Sequence, residues 1–138
     1  MTSIDPRLPE LLLLEDDPAT ATIIQIWLKG ICNITLVQDG NETLEKISSH
    51  YLSGKLFDLM LFDINIPYPW NGITLMNEIR KHWDVYNSIP FIAETAYALP
   101  EDRFRILEAG FCEYFSKPLS REPLVEGVKE KLKNQLLA

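Results

Sequence analysis

Leu59-Met60-Leu61-Phe62-Asp63 is the stretch on which the fold turns. Four apolar residues in a row, followed by a proline-containing loop, make a short strand buried on both faces, as in a parallel sheet. The run ends on a carboxylate. Other short apolar runs also end on polar groups. Leu11-Leu12-Leu13-Leu14 ends in Glu15-Asp16-Asp17, Phe91-Ile92-Ala93-Glu94 in Thr95-Ala96, and the run around Tyr114-Phe115 in Ser116-Lys117-Pro118. If these runs are parallel neighbours, their C-terminal ends share one edge of one sheet. That edge then gathers carboxylates, a hydroxyl and an ammonium. Clustered carboxylates repel one another and call for a cation, and oxygen ligands suit a hard ion such as Mg²⁺. The lysine and the threonine could hold an anion beside it. A cation site and an anion site around one carboxylate point to phosphoryl transfer to Asp63.

Helical patterns fill the spaces between the strands. Pro18 suits a first helical turn with Asp17 as N-cap, Ala21, Ile24, Leu28 and Ile31 recur at helical spacing, and Gly30 marks the end. Ile34 to Val37 reads as the second strand, followed by a turn at Asp39-Gly40. Leu44 and Ile47 sit on a helix closing near Gly54, and Leu75, Met76, Ile79 and Trp83 on one beginning at Gly72. Pro100 opens a short helix ending at Ala109-Gly110, and Phe111 to Phe115 contains the fifth strand. Leu124, Val128 and Leu132 mark a last helix from Arg121 to about Leu137. Five βα units in succession imply α/β architecture, a doubly wound parallel sheet with helices on both faces. Ligands of such sheets bind beyond the carboxyl ends of the strands.

The 138 residues suffice for one domain with one core, and 46% hydrophobic with 24% charged residues is ordinary for a globular protein. No apolar stretch approaches a membrane span of roughly 20 residues, so no membrane insertion is expected. The start lacks a basic segment followed by a long apolar one, so no secretory signal is expected. A formal charge of −7 argues against direct nucleic-acid binding, which needs surplus Lys and Arg. Cys32 and Cys112 lie far apart among apolar residues, which reads as two buried thiols in a reducing cytoplasm. His50 and His82 lie in polar helical segments and read as surface residues.

Each polar strand end has an ordinary explanation when taken alone. Asp17 is an N-cap, Thr95 a turn residue, Lys117-Pro118 a solvated lysine before a turn. Capping does not explain Glu15 and Asp16 beside Asp17, nor Asp63 before a long loop. In this order, at successive strand ends, the group is far more specific than its members.

These motifs are Leu-Leu-Leu-Glu15-Asp16-Asp17, Phe57-Asp-Leu-Met-Leu-Phe-Asp63-Ile-Asn-Ile-Pro67, Asn71-Gly72, Thr95-Ala96 and Lys117-Pro118. Together they resemble the receiver domains of two-component response regulators over about residues 10 to 135. The resemblance implies a flavodoxin-like (βα)5 fold with strand order 2-1-3-4-5, a receiver at 10–138 and an N-terminal extension at 1–9. It implies that Asp63 is the phosphoacceptor. Glu15 and Asp16 match the acidic pair of a Mg²⁺ site, Asp16 as direct ligand and Glu15 through water, with Asp63 and the backbone carbonyl of Asn65. Thr95 matches the hydroxyl that turns toward the phosphoryl group, Lys117 its ion-pair partner before a cis proline bond, and Tyr114 the switch aromatic. Asn65 and Tyr97 stand where the lifetime of the phosphoryl group is set, a bulky Tyr97 shielding it from water. The implied partners are a histidine kinase or histidine phosphotransfer domain, and a downstream protein on the face of the fourth helix, fifth strand and fifth helix. The chain would catalyse only its own phosphorylation and slow dephosphorylation, in the cytoplasm. Glu15 stands where Asp is frequent, and Asn71-Gly72 where Asp-Gly is. Ala93-Glu-Thr-Ala-Tyr-Ala98, Glu108-Ala-Gly and Ser116-Lys-Pro look similar to receivers of hybrid histidine kinases, so a stand-alone receiver and part of a longer protein are both open.

Two alternatives belong to other classes. A haloacid-dehalogenase-like phosphohydrolase would need an Asp two residues past the nucleophile, where this chain has Asn65. A receiver-like module that binds partners without phosphorylation is the stronger rival, and the complete acidic pocket argues against it.

Overall fold

The computed structural model describes residues 5–96 and 99–137. Five parallel strands form one sheet in the order β2-β1-β3-β4-β5: β1 Glu10–Leu14, β2 Asn33–Val37, β3 Leu59–Asp63, β4 Phe91–Thr95 and β5 Glu113–Ser116. The helices are α1 Pro18–Trp27, α2 Gly40–Leu52, α3 Gly72–His82, α4 Pro100–Ala109 and α5 Arg121–Leu137, and a 3-10 turn follows α3 at Asp84–Asn87.

Alternation along the strands builds two cores. Leu12, Leu14, Met60, Phe62, Phe91 and Ala93 face α2, α3 and α4, meeting Ile47, Leu75, Met76, Ile79 and Ile106. Leu11, Leu13, Leu59, Leu61 and Ile92 face the other way, onto Ile24 of α1, Leu28 just past its end, and Leu124, Val128 and Leu132 of α5. β1 and β3 are therefore apolar at nearly every position because helices cover both sides.

The first helix starts as expected, and the next two carry caps of their own. Asp17 caps α1 by accepting from the Thr20 N–H at 3.1 Å. Asn71 and Thr74 cap α3 reciprocally. Asp39-Gly40 is not a turn: Asp39 accepts from the Glu42 N–H at 2.8 Å and Gly40 is the first residue of α2. Gly40 lies under the Trp70 ring, where a Cβ would overlap it. α1 stops before Ile31, because Gly30 turns the chain back with φ at 81°. Cys32 is buried, as expected, and burial pushes its thiol up to about 12. Cys112 is exposed, against expectation. Phe111 before it enters the core, and alternation turns the next side chain outward. Residues 5–9 approach β2, where Asn33 Nδ2 donates to the Asp5 carbonyl at 2.6 Å.

Candidate functional site

The C-terminal ends of β1, β3 and β4 lie side by side, with β5 beyond β4. The side chains that face α1 and α5 include Leu11 and Leu13, Leu59 and Leu61, and Ile92. Alternation puts Glu15, Asp63 and Glu94 on that same side. They also share one level, since Asp63 pairs in register with Glu94, and Leu14 with Phe62. One carboxylate oxygen from each lies within 4.8 Å of the others. All three are buried, with exposures of 1% for Glu15, 3% for Asp63 and 0% for Glu94.

Lys117 enters from the end of β5. Its backbone N–H donates to the Thr95 carbonyl at 2.8 Å, and the Lys117–Pro118 bond is cis. Its Nζ lies 3.0 Å from Asp63 Oδ2, 3.1 Å from Glu15 Oε1 and 3.8 Å from Glu94 Oε1. The Asp63 contact is an aligned hydrogen bond. The Glu15 approach is an ion pair by distance without that alignment, so Glu15 Oε1 and both Glu94 oxygens lack an aligned donor. Around this centre, the Asn65 N–H donates to Asp63 Oδ1 at 2.8 Å and the Asp17 N–H to Glu15 Oε2 at 3.1 Å. Asn65 Nδ2 donates to Thr95 Oγ1 at 2.9 Å.

One ammonium cannot balance three buried carboxylates, so the carboxyls divide the protons among themselves. Burial, then the neighbouring Glu15, pushes Glu94 up to about 10, so it is a neutral acid near neutrality. Two carboxylates offer only acceptors, and this proton is what lets Glu94 bond to Glu15. Burial would raise Glu15 as well, but the bond from Glu94, the Asp17 N–H and Lys117 outweigh it and hold Glu15 below its usual value. Burial pushes Asp63 up to about 6, against the pull of Lys117 and the Asn65 N–H. Burial alone would lower Lys117, but Asp63 and Glu15 win and hold it above the usual lysine value.

The donor set fits a hard divalent cation. It is made of oxygens, and Glu15 Oε1 and the Glu94 oxygens are buried without aligned partners. Glu15 and Asp63, the members of that cluster not held neutral, are the carboxylates that would hold such an ion.

Sequence reasoning expected Glu15, Asp63, Thr95 and Lys117 at one edge, and the structure brings them together. Thr95 is buried at the end of β4 and reaches the group through Asn65. Asp16 is exposed at the rim and stands outside the buried cluster. Tyr114 is half-buried on β5 against the α2–α3–α4 core. Tyr97 lies outside the described residues. Glu94 joins Glu15 and Asp63 unforeseen, since in the sequence it merely closes an apolar run. Its signal was a carboxylate inside a buried strand, at the position level with Asp63.

The sequence matches the family described as response regulator receiver domain over residues 11–129. It is 34% identical over 125 residues to the sensor histidine kinase CheAY of Helicobacter pylori, covering 89% of this chain and 15% of that protein. It is 32% identical over 127 residues to the transcriptional regulatory protein BaeR of Escherichia coli, covering 91% of this chain and 49% of that protein. The chain thus spans at most about half the length of these curated relatives. Among solved structures, it is similar to a CheY-like response regulator receiver domain protein from Methanospirillum hungatei. The TM-score is 0.77 and the identity 30%, over 94% of this chain and 98% of that one. A putative response regulator from Chloroflexus aurantiacus gives a TM-score of 0.80 at 26% identity, over 92% of this chain and 99% of that one.

Proposed function

This chain belongs to the response regulator receiver family, and from that premise we propose that Asp63 accepts a phosphoryl group from the phosphohistidine of a histidine kinase or histidine phosphotransfer domain. One observation carries the reading: the Asp63 carboxylate sits buried at a strand end, hydrogen-bonded to Lys117 and flanked by Glu15. Burial, followed by the opposing pull of Lys117 and the Asn65 N–H, leaves its pKa at about 6, so it is mostly ionised near neutrality.

In the transfer, an Asp63 oxygen attacks phosphorus. The new O–P bond forms as the P–N bond to the donor imidazole breaks, leaving an acyl phosphate. Mg²⁺, when bound, cancels the repulsion between the carboxylate and the anionic phosphoryl group. The chain's own groups do the rest. The Asn65 N–H on Oδ1 orients the Asp63 carboxylate. The Lys117 ammonium is already at the pocket and pairs with a phosphoryl oxygen as charge builds there. The Thr95 hydroxyl turns to a second oxygen.

The added charge would pull Thr95 and Lys117, and with them the ends of β4 and β5, while Tyr114 repacks. Output then leaves through α4, β5 and α5 to a downstream protein. Phe104 is 69% exposed and Leu107 36%, and with Pro100 and Arg103 they line an apolar depression on α4, which supports this face. We assign 10–138 to the receiver and 1–9 to an N-terminal extension. The domain would catalyse its own phosphorylation and its own slow dephosphorylation. No described helix is long and apolar enough to cross a membrane. Two unpaired thiols, Cys32 and Cys112, fit a cytoplasmic location.

The test is intact mass after incubation with acetyl phosphate and Mg²⁺. Wild type should gain one phosphoryl group and Asp63→Asn none. Equal labelling of the two would overturn the assignment. An unlabelled wild type that still binds its partners would favour the phosphorylation-independent module.

A further inference from the structure

Glu94 has no part in the chemistry set out so far, yet it lies at the floor of the pocket. It is 0% exposed, and both side-chain oxygens lack an aligned donor. Its proton goes to Glu15, so what Glu94 lacks is a donor to its remaining acceptor oxygen. Its place is also rigid. Glu94 pairs in register with Asp63, and its carbonyl accepts from the Ile64 N–H at 3.0 Å. The strand therefore cannot release the side chain to solvent.

Lys117 Nζ stands among three carboxyls, at 3.0 Å from Asp63, 3.1 Å from Glu15 and 3.8 Å from Glu94. Asp63 and Glu15 are also groups that a divalent cation would use. A cation and an ammonium drawing on the same oxygens repel each other at short range. When those oxygens turn toward the cation, the ammonium loses its two shorter contacts. The Glu94 oxygen is the remaining acceptor in the cluster, and a lysine side chain is flexible enough to close 3.8 Å to hydrogen-bond distance.

We propose that Glu94 is a positioning residue: its carboxyl keeps the Lys117 ammonium in the pocket while a divalent cation occupies Glu15 and Asp63. The ammonium is then in place to meet the phosphoryl group, instead of swinging out into water. This rests on the reading of Asp63 as a metal-dependent phosphoacceptor. The role requires an acceptor oxygen, which an amide also has, so Gln is the conservative replacement and Leu the disabling one.

Three measurements on the full chain test it, for wild type, Glu94→Gln and Glu94→Leu. The first is the rate of labelling by acetyl phosphate across a Mg²⁺ series. The second is the NMR signal of the Lys117 side-chain ammonium with and without Mg²⁺, assigned by its loss in Lys117→Met. The third is the melting temperature. Glu94→Leu should label about tenfold more slowly at saturating Mg²⁺, a loss that added Mg²⁺ does not restore, in the range seen when groups behind a metal site are removed. Its ammonium signal should fade on adding Mg²⁺, as Lys117 becomes exposed to water. Wild type and Glu94→Gln should keep both the rate and the signal. A merely structural carboxyl would change the melting temperature alone. If Glu94→Leu labels like wild type and keeps its ammonium signal, or if Glu94→Gln fails as badly as Glu94→Leu, the proposal is overturned. Should Glu94→Leu not fold, Glu94→Met, unbranched and apolar, replaces it with the same expected results. A wild type that takes no phosphoryl group overturns the phosphoacceptor reading, and the ammonium signal, which needs no phosphodonor, still decides the role of Glu94.

Discussion

Asn65 and Thr95 are joined across the pocket: Asn65 Nδ2 donates to Thr95 Oγ1 at 2.9 Å. The bond ties the loop leaving β3 to the end of β4, where Thr95 is 1% exposed. The same Asn65 donates its backbone N–H to Asp63, so one residue holds both the Asp63 carboxylate and the Thr95 hydroxyl.

That double attachment bears on the lifetime of the phosphorylated state. Hydrolysis needs a water in line with phosphorus, and an amide at Asn65 cannot take its proton. Asn65→Asp should shorten the lifetime by about tenfold or more, since a well-placed general base contributes about 10²–10⁴. If Tyr97 shields the phosphoryl group, as the family resemblance implies, Tyr97→Ala should shorten it too. Both are followed by phosphoryl loss after the donor is removed, and lifetimes equal to wild type would discredit the idea.

Removing carboxylates should remove the cation. Wild type should bind Mg²⁺ weakly in the absence of a phosphodonor, and a Glu15→Ala, Asp16→Ala double mutant should show no calorimetric binding. The single Asp16→Ala variant separates the rim carboxylate from the buried cluster: a substantial loss there assigns Asp16 as a direct ligand despite its exposure. Undiminished affinity in the double mutant would remove the acidic pair from the site.

Stability without metal should depend on pH through Glu94. Its pKa is raised, first by burial, from an ordinary 4.5 to about 10 in the folded protein. Between those values the native state holds a proton that the unfolded chain releases, so stability falls as pH rises. Asp63, raised chiefly by burial from 3.8 to about 6, adds the same sign over its narrower window. Glu15, lowered in the folded state, works in the opposite sense, its contribution being lost as pH falls below its ordinary 4.5. Glu94→Gln should therefore melt above wild type at about pH 8, with the gap closing toward about pH 4.5. A gap that widens in acid would mean that Glu94 is ionised in the fold.

Trp70 ties the loop after Asp63 to α2. Its ring covers Gly40 and its Nε1 donates to Asn41 Oδ1 at 3.3 Å. A Cβ at Gly40 would sit 2.6 Å from Trp70 Cγ, so Gly40→Ala must displace the ring. The cost should be about 1–3 kcal/mol in a denaturant titration, as for other overpacked sites. Tryptophan emission should shift to the red as Trp70 gains water. Emission and stability both unchanged would mean that the loop moves aside without penalty.

The apolar runs, the helix cap at Asp17 and the breaks at Gly30 and Gly54 were legible in the amino-acid sequence, because burial on two faces, capping and backbone freedom are properties of a few neighbouring residues. The polar strand ends at Glu15, Asp63, Thr95 and Lys117 were legible for the same reason, and the family resemblance supplied their roles and the strand order. Which side chains would meet was decided only by the tertiary structure. Glu94 joins Glu15 and Asp63 because parallel register puts Asp63 level with Glu94 and alternation turns all three toward α1 and α5. Cys112 faces outward because Phe111 beside it turns in. Gly40 begins a helix, not a turn, with Trp70 lying over it from 30 residues further along the chain. These outcomes depend on distances between segments remote in sequence, and such distances exist only once both cores have closed and the strand ends have come level at one edge.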